Sequence, residues 1–341
     1  MSEKHSLLSE ENDLQFGRYS RAFERVNMTE ARRIYNKKLP RFIKNLKLKE
    51  WQAFQTGNQD YFIFGVLYNA KFMALAQFAV YDIRNNKKYF FQENFWPSKI
   101  KLPENIYNSD CSYFGKKISI SISGNSKNAR IKISANIKAT RQNPEIRLET
   151  ETPFHKNSKN SSVVVIPLKN NGSMYSHKAA SLTLGFLKIG KKEIDLSRNS
   201  YLIFDDHKGY YPYPMRYNWG TAVSAQETGF FGFNLTENQS TAPEKFNENI
   251  LWQNNRTYQL PAVEFRRPQG IMKPWTIKDK SGKVNLRFQP VTDNRFKLNM
   301  GIIRADYHGP YGYFDGKIEI PETEQTFSGV FGMGEKKIIH G

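Results

Sequence analysis

The chain has little of what usually announces a function. Its only cysteine is Cys111, which excludes an intrachain disulfide and any zinc site built on paired cysteines. A lone thiol fits a reducing compartment. The longest apolar run, Phe72 to Val80, is interrupted by Gln77 and falls far short of the roughly 20 residues a spanning helix needs. Met1 to Leu14 is polar and acidic, without the apolar core of a signal peptide; a cytoplasmic location is the expectation. Helical periodicity is scarce, with no convincing amphipathic pattern beyond about 12 residues, which argues against alternating α and β elements. Missing too are a Gly-x-Ser-x-Gly elbow, a phosphate loop and a strand-anchored dinucleotide fingerprint. Gly329-Val-Phe-Gly332-Met-Gly334 is glycine-rich, but no helix follows it. No cofactor is expected.

Acidic residues are the other scarcity. Asp and Glu number 32 against 51 Lys and Arg, a net charge of +19. Arg32 to Lys49 carries Arg32, Arg33, Lys37, Lys38, Arg41, Lys44, Lys47 and Lys49 without one acid. Lys116, Lys117, Lys127, Arg130, Lys132, Lys138 and Arg141 repeat the pattern. The plain reading is a solvated basic face. An anionic membrane surface is the next partner to consider. No zinc finger or RNA-recognition signature supports nucleic acid.

What is abundant is period-two alternation. Ile118, Ile120 and Ile122 alternate with Ser119, Ser121 and Ser123, the pattern of a strand with one buried face. After the turn Gly124-Asn125-Ser126, Ile131, Ile133, Ala135 and Ile137 continue it as a hairpin. Similar runs lie at 61–68, 72–81, 145–152, 162–166, 180–189, 193–196, 229–235, 257–265, 275–278, 284–290, 297–307 and 314–320. The one helical piece expected is near Thr29 to Arg33. The chain is read as all-β: two packed antiparallel barrels or sandwiches with few short helices. Residues 1–32 form a lead-in, partly disordered or helical. Residues 33–160 form one unit and 161–341 a second that carries the polar site. The turn-rich Pro153 to Ser161 is the expected connector.

Residues 201–252 break the pattern. Asp205, Asp206, His207, Lys208 and Arg216 fall among Tyr210, Tyr211, Tyr213, Tyr217 and Trp219. Burying such charges costs free energy unless each finds a partner. A polar cluster among aromatics is what a pocket uses to orient a mostly apolar guest. Upstream, His177 and Lys178 open a strand; His177 beside Asp205 or Asp206 would form an acid–base pair. The competing readings are structural: a loop hydrogen bond for His177, a turn cap for Asp206, a surface charge for Lys208, a core aromatic for Trp219. A metal held by His177, His207 and Asp205 has no support from spacing.

Several blocks resemble one family in order. They are Tyr35-Asn36 and Leu48-Lys49-Glu50-Trp51, Tyr175-Ser-His177-Lys178-Ala-Ala, and Asp206-His-Lys208-Gly209-Tyr-Tyr-Pro212-Tyr213. Trp219-Gly220, Gly232-Phe-Asn234-Leu, Glu248-Asn249 with Trp252, Leu260-Pro261 and Val263-Glu-Phe265 follow. From about residue 33 to 320 the chain resembles domain of unknown function 2804. More distantly it is similar to two-barrel, lipocalin-like proteins such as carotenoid 1,2-hydratases and tocopherol cyclase. That resemblance implies an aspartate, Asp205 or Asp206, that protonates an alkene, with Tyr213, Tyr217 and Trp219 facing the resulting cation.

Three functions compete. The first is binding of a hydrophobic, lipid- or isoprenoid-like molecule in an apolar cavity, with Lys178 or Arg216 pairing a carboxylate head. Lys208, Tyr210, Tyr211, Asn234, Asn238, Glu248, Asn249 and Trp252 are the further candidate ligand contacts. The second is a cofactor-free hydratase, isomerase or cyclase using an Asp–His acid–base pair. The third is an interaction protein using its basic face.

Overall fold

The computed structural model describes residues 5–125, 128–154, 159–226, 229–253, 255–300, 303–321 and 323–340. Ser126 of the expected turn and residues 155–158 of the expected connector, His155 included, lie outside them. Two compact units emerge. One comprises Met1–Val165, Met174–Tyr210 and Ala225–Gly229; the other comprises Ile166–Ser173, Tyr211–Ser224 and Phe230–Gly341.

The first unit contains two antiparallel sheets. In the larger, the strands run in the order Gly17–Tyr19, Ser161–Leu168, Gly172–Leu182, Tyr201–Tyr210, Lys49–Gly57, Tyr61–Asn69, Ala74–Asp82 and Lys87–Phe95. The smaller runs Lys192–Asp195, Leu184–Ile189, Ile146–Pro153, Arg130–Ile137, Ile118–Asn125 and Asn108–Phe114. The isoleucines that alternate in the sequence point inward here. Ile118, Ile120, Ile131 and Ile133 share one core with Phe54, Ile63, Phe78 and Phe204 of the larger sheet.

The second unit is built on an eleven-stranded antiparallel sheet. Leu251 near one end of its strand path and Phe265 and Trp275 near the other join one core with Phe233, Phe288 and Phe314. The sheet therefore curves back on itself. The two expected long runs here each break into two strands, Arg256–Gln259 and Val263–Arg266, and Arg295–Met300 and Ile303–His308, the last two pairing with each other. The strand Thr323–His340 has no counterpart among the sequence expectations because its glycines disguise it. They are needed for close packing: a Cβ on Gly332 would stand 2.2 Å from the Thr221 carbonyl oxygen.

Two further expectations are corrected. The lead-in is part of the core, with Leu7, Phe23, Val26, Met28 and Ala31 buried. Its helical piece is a single 3-10 turn at Met28–Glu30, and the α-helix comes later, at Arg41–Lys47. Nor does the chain leave the first unit for good near residue 160. The strand Tyr201–Tyr210 pairs along its length with Lys49–Gly57, which returns Asp205 to Lys208 to the first unit. That pairing joins residues 154 positions apart, and no local pattern announces it.

Candidate functional site

All ten residues of Tyr201–Tyr210 are buried, so both faces of this strand are covered. Successive side chains of a strand point to opposite faces. The polar run Asp205-Asp206-His207-Lys208 is therefore split in two, and the single cluster expected from the sequence does not form.

Asp206 and Lys208 share the face of Phe204 and Tyr210, which belong to the first unit's core. The Lys208 ammonium donates to Asp206 Oδ1 at 2.9 Å, and Gln52 Nε2 donates to the same oxygen at 3.5 Å. Asp206 Oδ2, Gln52 Oε1 and the Tyr175 hydroxyl are buried without a hydrogen-bond partner among the described residues. Burial pushes the Asp206 carboxyl up to about 6, against the pull of Lys208 and Gln52. Burial also works to lower Lys208, but Asp206 and Glu50 outweigh it and hold the ammonium above its ordinary value. Neither residue is the turn cap or surface charge that the simpler sequence readings allowed.

Asp205 and His207 occupy the other face. Register places His207 opposite Trp51 and Asp205 opposite Ala53. The Trp51 indole N–H donates to Asp205 Oδ2 at 3.3 Å. Lys178, on the neighbouring strand Gly172–Leu182, forms an ion pair with Asp205 Oδ1 at 2.8 Å. The His207 ring stacks on Trp51 with centroids 4.1 Å apart, and its Nδ1 lies 4.0 Å from Asp205 Oδ1. That last separation is electrostatic contact, beyond hydrogen-bond range. Tyr68 flanks the indole at 5.9 Å. Asp205 keeps 9% of its surface exposed, whereas Asp206 keeps none.

His177 does not pair with either aspartate. Its strand is next to theirs, but its Nε2 bonds the Ser161 hydroxyl at 2.6 Å and its ring lies among Tyr107 and Phe154. Burial drives the imidazole down to about 3, so it stays neutral at physiological pH. Alternation is again the reason: His177 and Lys178, adjacent in sequence, face opposite ways. Tyr210 closes the same core, edge-on to Tyr35, its hydroxyl donating to the Met28 carbonyl at 3.4 Å.

The remaining candidates lie in the second unit. Trp219 Nε1 donates to Asn234 Oδ1 at 2.6 Å, and Asn234 Nδ2 to the Glu248 carbonyl at 3.0 Å. Asn249 accepts from the Thr236 amide at 2.7 Å and donates to the Pro261 carbonyl at 2.8 Å. Asn238 caps the Ser240 amide at 3.0 Å. Trp252 is fully buried opposite Gly232, and Tyr211 is half-buried. Tyr213 and Arg216 are exposed; Tyr213 stands edge-on to His340. Tyr217 has partners that sequence reasoning missed: Glu335 Oε1, to which it donates at 3.0 Å, and Lys337, which donates to it at 3.0 Å. Burial first and Glu335 second raise the Tyr217 phenol well above its ordinary value. Burial lowers Lys337, with Glu335 opposing. Alternating Glu335 and Lys337 were readable as one face of a strand, had the glycine-rich segment before them been read as one. Trp51 too carried a signal, in the run Glu50-Trp51-Gln52.

Among the described residues no group of three or more His, Cys, Asp or Glu is placed to hold a metal. No helix there is long and apolar enough to cross a membrane. A surface hollow of about 430 Å³, lined by Ser123, Asn125, Arg130, Lys132 and Glu151, is too polar to suit an apolar guest.

The model of the family described as domain of unknown function (DUF2804) matches residues 1–339. No functionally curated protein matches the chain. Among solved structures, CghA is 9% identical with a TM-score of 0.52, covering 98% of this chain and 96% of its own. CghA with Sch210972 is 9% identical with a TM-score of 0.50, covering 86% and 89%. Kievitone hydratase from Nectria haematococca is 11% identical with a TM-score of 0.47, over 86% and 89%. At these identities the CghA structures bear on fold alone, and that fold is all-β and lipocalin-like. The chain belongs to the DUF2804 family.

Proposed function

We propose that this DUF2804 chain binds a largely apolar small molecule against the Trp51–His207 face and acts on it by proton transfer without a cofactor. The observation that carries the reading is the grouping of Trp51, His207, Asp205 and Lys178 from three strands on one face. A fold does not require it: burying an ion pair such as Lys178–Asp205 costs several kcal/mol per charge before any Coulomb gain. Buried titratable groups beside an aromatic platform are the pattern of functional sites. In this arrangement Lys178 and the Trp51 indole fix the position of the Asp205 carboxyl group. His207, whose Nδ1 lies 4.0 Å from Asp205 Oδ1, is the group that exchanges a proton with the guest. Stacking on Trp51 holds the imidazole in one plane. A protein of similar fold, CghA, has been crystallised with a small molecule, Sch210972.

A second reading, binding without turnover, draws on one feature. Lys178 at 2.8 Å already neutralises Asp205, so the site is equally suited to holding a polar head group still. One experiment separates the two. Protein purified from cells is examined by native mass spectrometry and its cargo extracted, then wild type and His207→Gln are incubated with that cargo. Turnover predicts a product isomeric with the cargo or heavier by one water, lost in His207→Gln while uptake persists. Unchanged cargo in both proteins leaves the carrier reading. No cargo, and no uptake of anilinonaphthalene sulfonate, would refute both.

A further inference from the structure

Exposed apolar side chains are not scattered evenly. Five of the ten large ones among the described residues, Phe42, Leu46, Phe72, Trp96 and Phe114, collect at one end of the first unit. Strand register establishes this. Glu50 is opposite Asn69, Asn69 opposite Ala74, and Ala74 opposite Phe95, so the start of Lys49–Gly57, the turn at Phe72 and the segment at Trp96 share one rim. The helix Arg41–Lys47 feeds directly into that rim and exposes Phe42 and Leu46, four residues apart and so on one side. Asn69 Nδ2 ties the turn to the Pro97 and Ile100 carbonyls at 3.3 and 3.5 Å. Tyr113 stacks on Phe95 at 3.7 Å, bringing Phe114 alongside.

The charges at this rim are of one sign. Segments 41–49, 69–74, 94–101 and 113–117 contain Arg41, Lys47, Lys99, Lys101, Lys116 and Lys117, all exposed, and no acid. The carboxylates next in sequence to these segments, Glu50 and Glu93, are engaged. Glu50 is buried against Lys71, and Glu93 accepts the Lys117 and Ile118 amides at 3.2 and 3.0 Å. Lys49 feels the crowding. It donates to the Ala70 carbonyl at 2.9 Å and lies over Phe72 at 4.7 Å; burial, then Lys47 and Lys71, lower it to about 8.

We propose that this rim docks on an anionic lipid bilayer surface, with Trp96, Phe114, Phe72 and the exposed helix face inserted at the interface and the lysines at headgroup level. Trp96 and Phe114 are 75% and 77% exposed, which water alone does not favour. A tryptophan and apolar side chains ringed by lysine are what an interface takes up. A nucleic acid would call for rings aligned as a stacking track; here Phe42 and Leu46 project from a helix and one member is aliphatic. The proposal does not involve Asp205 or His207 and stands apart from the function proposed for them.

The test is co-sedimentation of the full chain with phosphatidylcholine vesicles containing about a third phosphatidylserine. Binding is expected at low salt, weakening as salt rises and weak on pure phosphatidylcholine. Trp96→Ser with Phe114→Ser lowers partitioning roughly tenfold or more. Lys99→Gln and Lys117→Gln lower it about fivefold each. Leu184→Ser, at a side chain 52% exposed but outside the rim, leaves it unchanged. The proposal is overturned if the wild-type chain stays in the supernatant at low salt, or if Leu184→Ser weakens binding as much as the rim variants. It is overturned equally if a single-stranded RNA, and not the vesicles, is bound through Trp96 and Phe114.

Discussion

Replacing Lys208 by Met would leave the Asp206 carboxylate in the core of the first unit with no cation beside it. The ammonium and Asp206 Oδ1 are 2.9 Å apart; at an effective dielectric constant of about 20 that contact is worth roughly 6 kcal/mol before desolvation. Breaking one side of a buried pair typically costs about 3–5 kcal/mol. The carboxyl has an escape, because it can take up a proton. Asp206 already sits near 6 instead of 3.8, and without Lys208 it rises further. A folded-state value above the unfolded one means that the group favours folding most below about pH 4. That contribution is lost as pH climbs through 6; the gap amounts to roughly 3 kcal/mol. Lys208→Met widens this gap. Urea denaturation of wild type and variant at pH 5 and pH 8 should show a loss of about 1–2 kcal/mol at the lower pH and about 3–5 kcal/mol at the higher. Other titrating groups cancel in the comparison. The double variant Asp206→Asn/Lys208→Met should recover much of the loss, since no charge then remains buried. Equal destabilisation at both pH values would refute the reasoning, and so would additive losses in the double variant.

Three further outcomes follow from the same physics. His177, lowered to about 3 by burial, favours the folded state above pH 6.5 and loses that contribution as pH falls toward 3; His177→Asn should flatten the acid limb of the stability curve, and the wild-type ring should show no titration by NMR between pH 5 and 8. Gly332→Ala would force a Cβ to 2.2 Å from the Thr221 carbonyl, whereas Gly282, at φ +83°, has nothing within 4 Å; thermal unfolding should place the first at a loss above about 3 kcal/mol and the second near 1. Cys111 is fully buried and its thiol is pushed up to about 12 by burial, so a thiol reagent at pH 8 should label it only at the rate of unfolding.

Much of the architecture was legible because alternation is local. Ile118, Ile120 and Ile122 name their own buried face, and the hairpin to Ile131 follows from one turn. Thr323–His340 escaped because Gly329, Gly332 and Gly334 remove the β-branched side chains by which strands are recognised. The chain also carries, in its composition alone, the excess of Lys and Arg, the single thiol and the aromatic-rich polar stretch 201–219. What composition and spacing could not settle is which of those polar residues meet. Asp205 to Lys208 read as one cluster, but a strand sends neighbours to opposite faces. The pairing with Trp51 and Gln52, fixed by sheet order across 154 positions, then decides that Asp206 is sealed with Lys208 while Asp205 shares a face with His207 and Lys178. Likewise His177 and Lys178, one residue apart, part company. Side-chain chemistry and two-residue periodicity are properties of the sequence. Which strands lie side by side depends on the free energy of burying whole faces at once, and only the tertiary structure determines it.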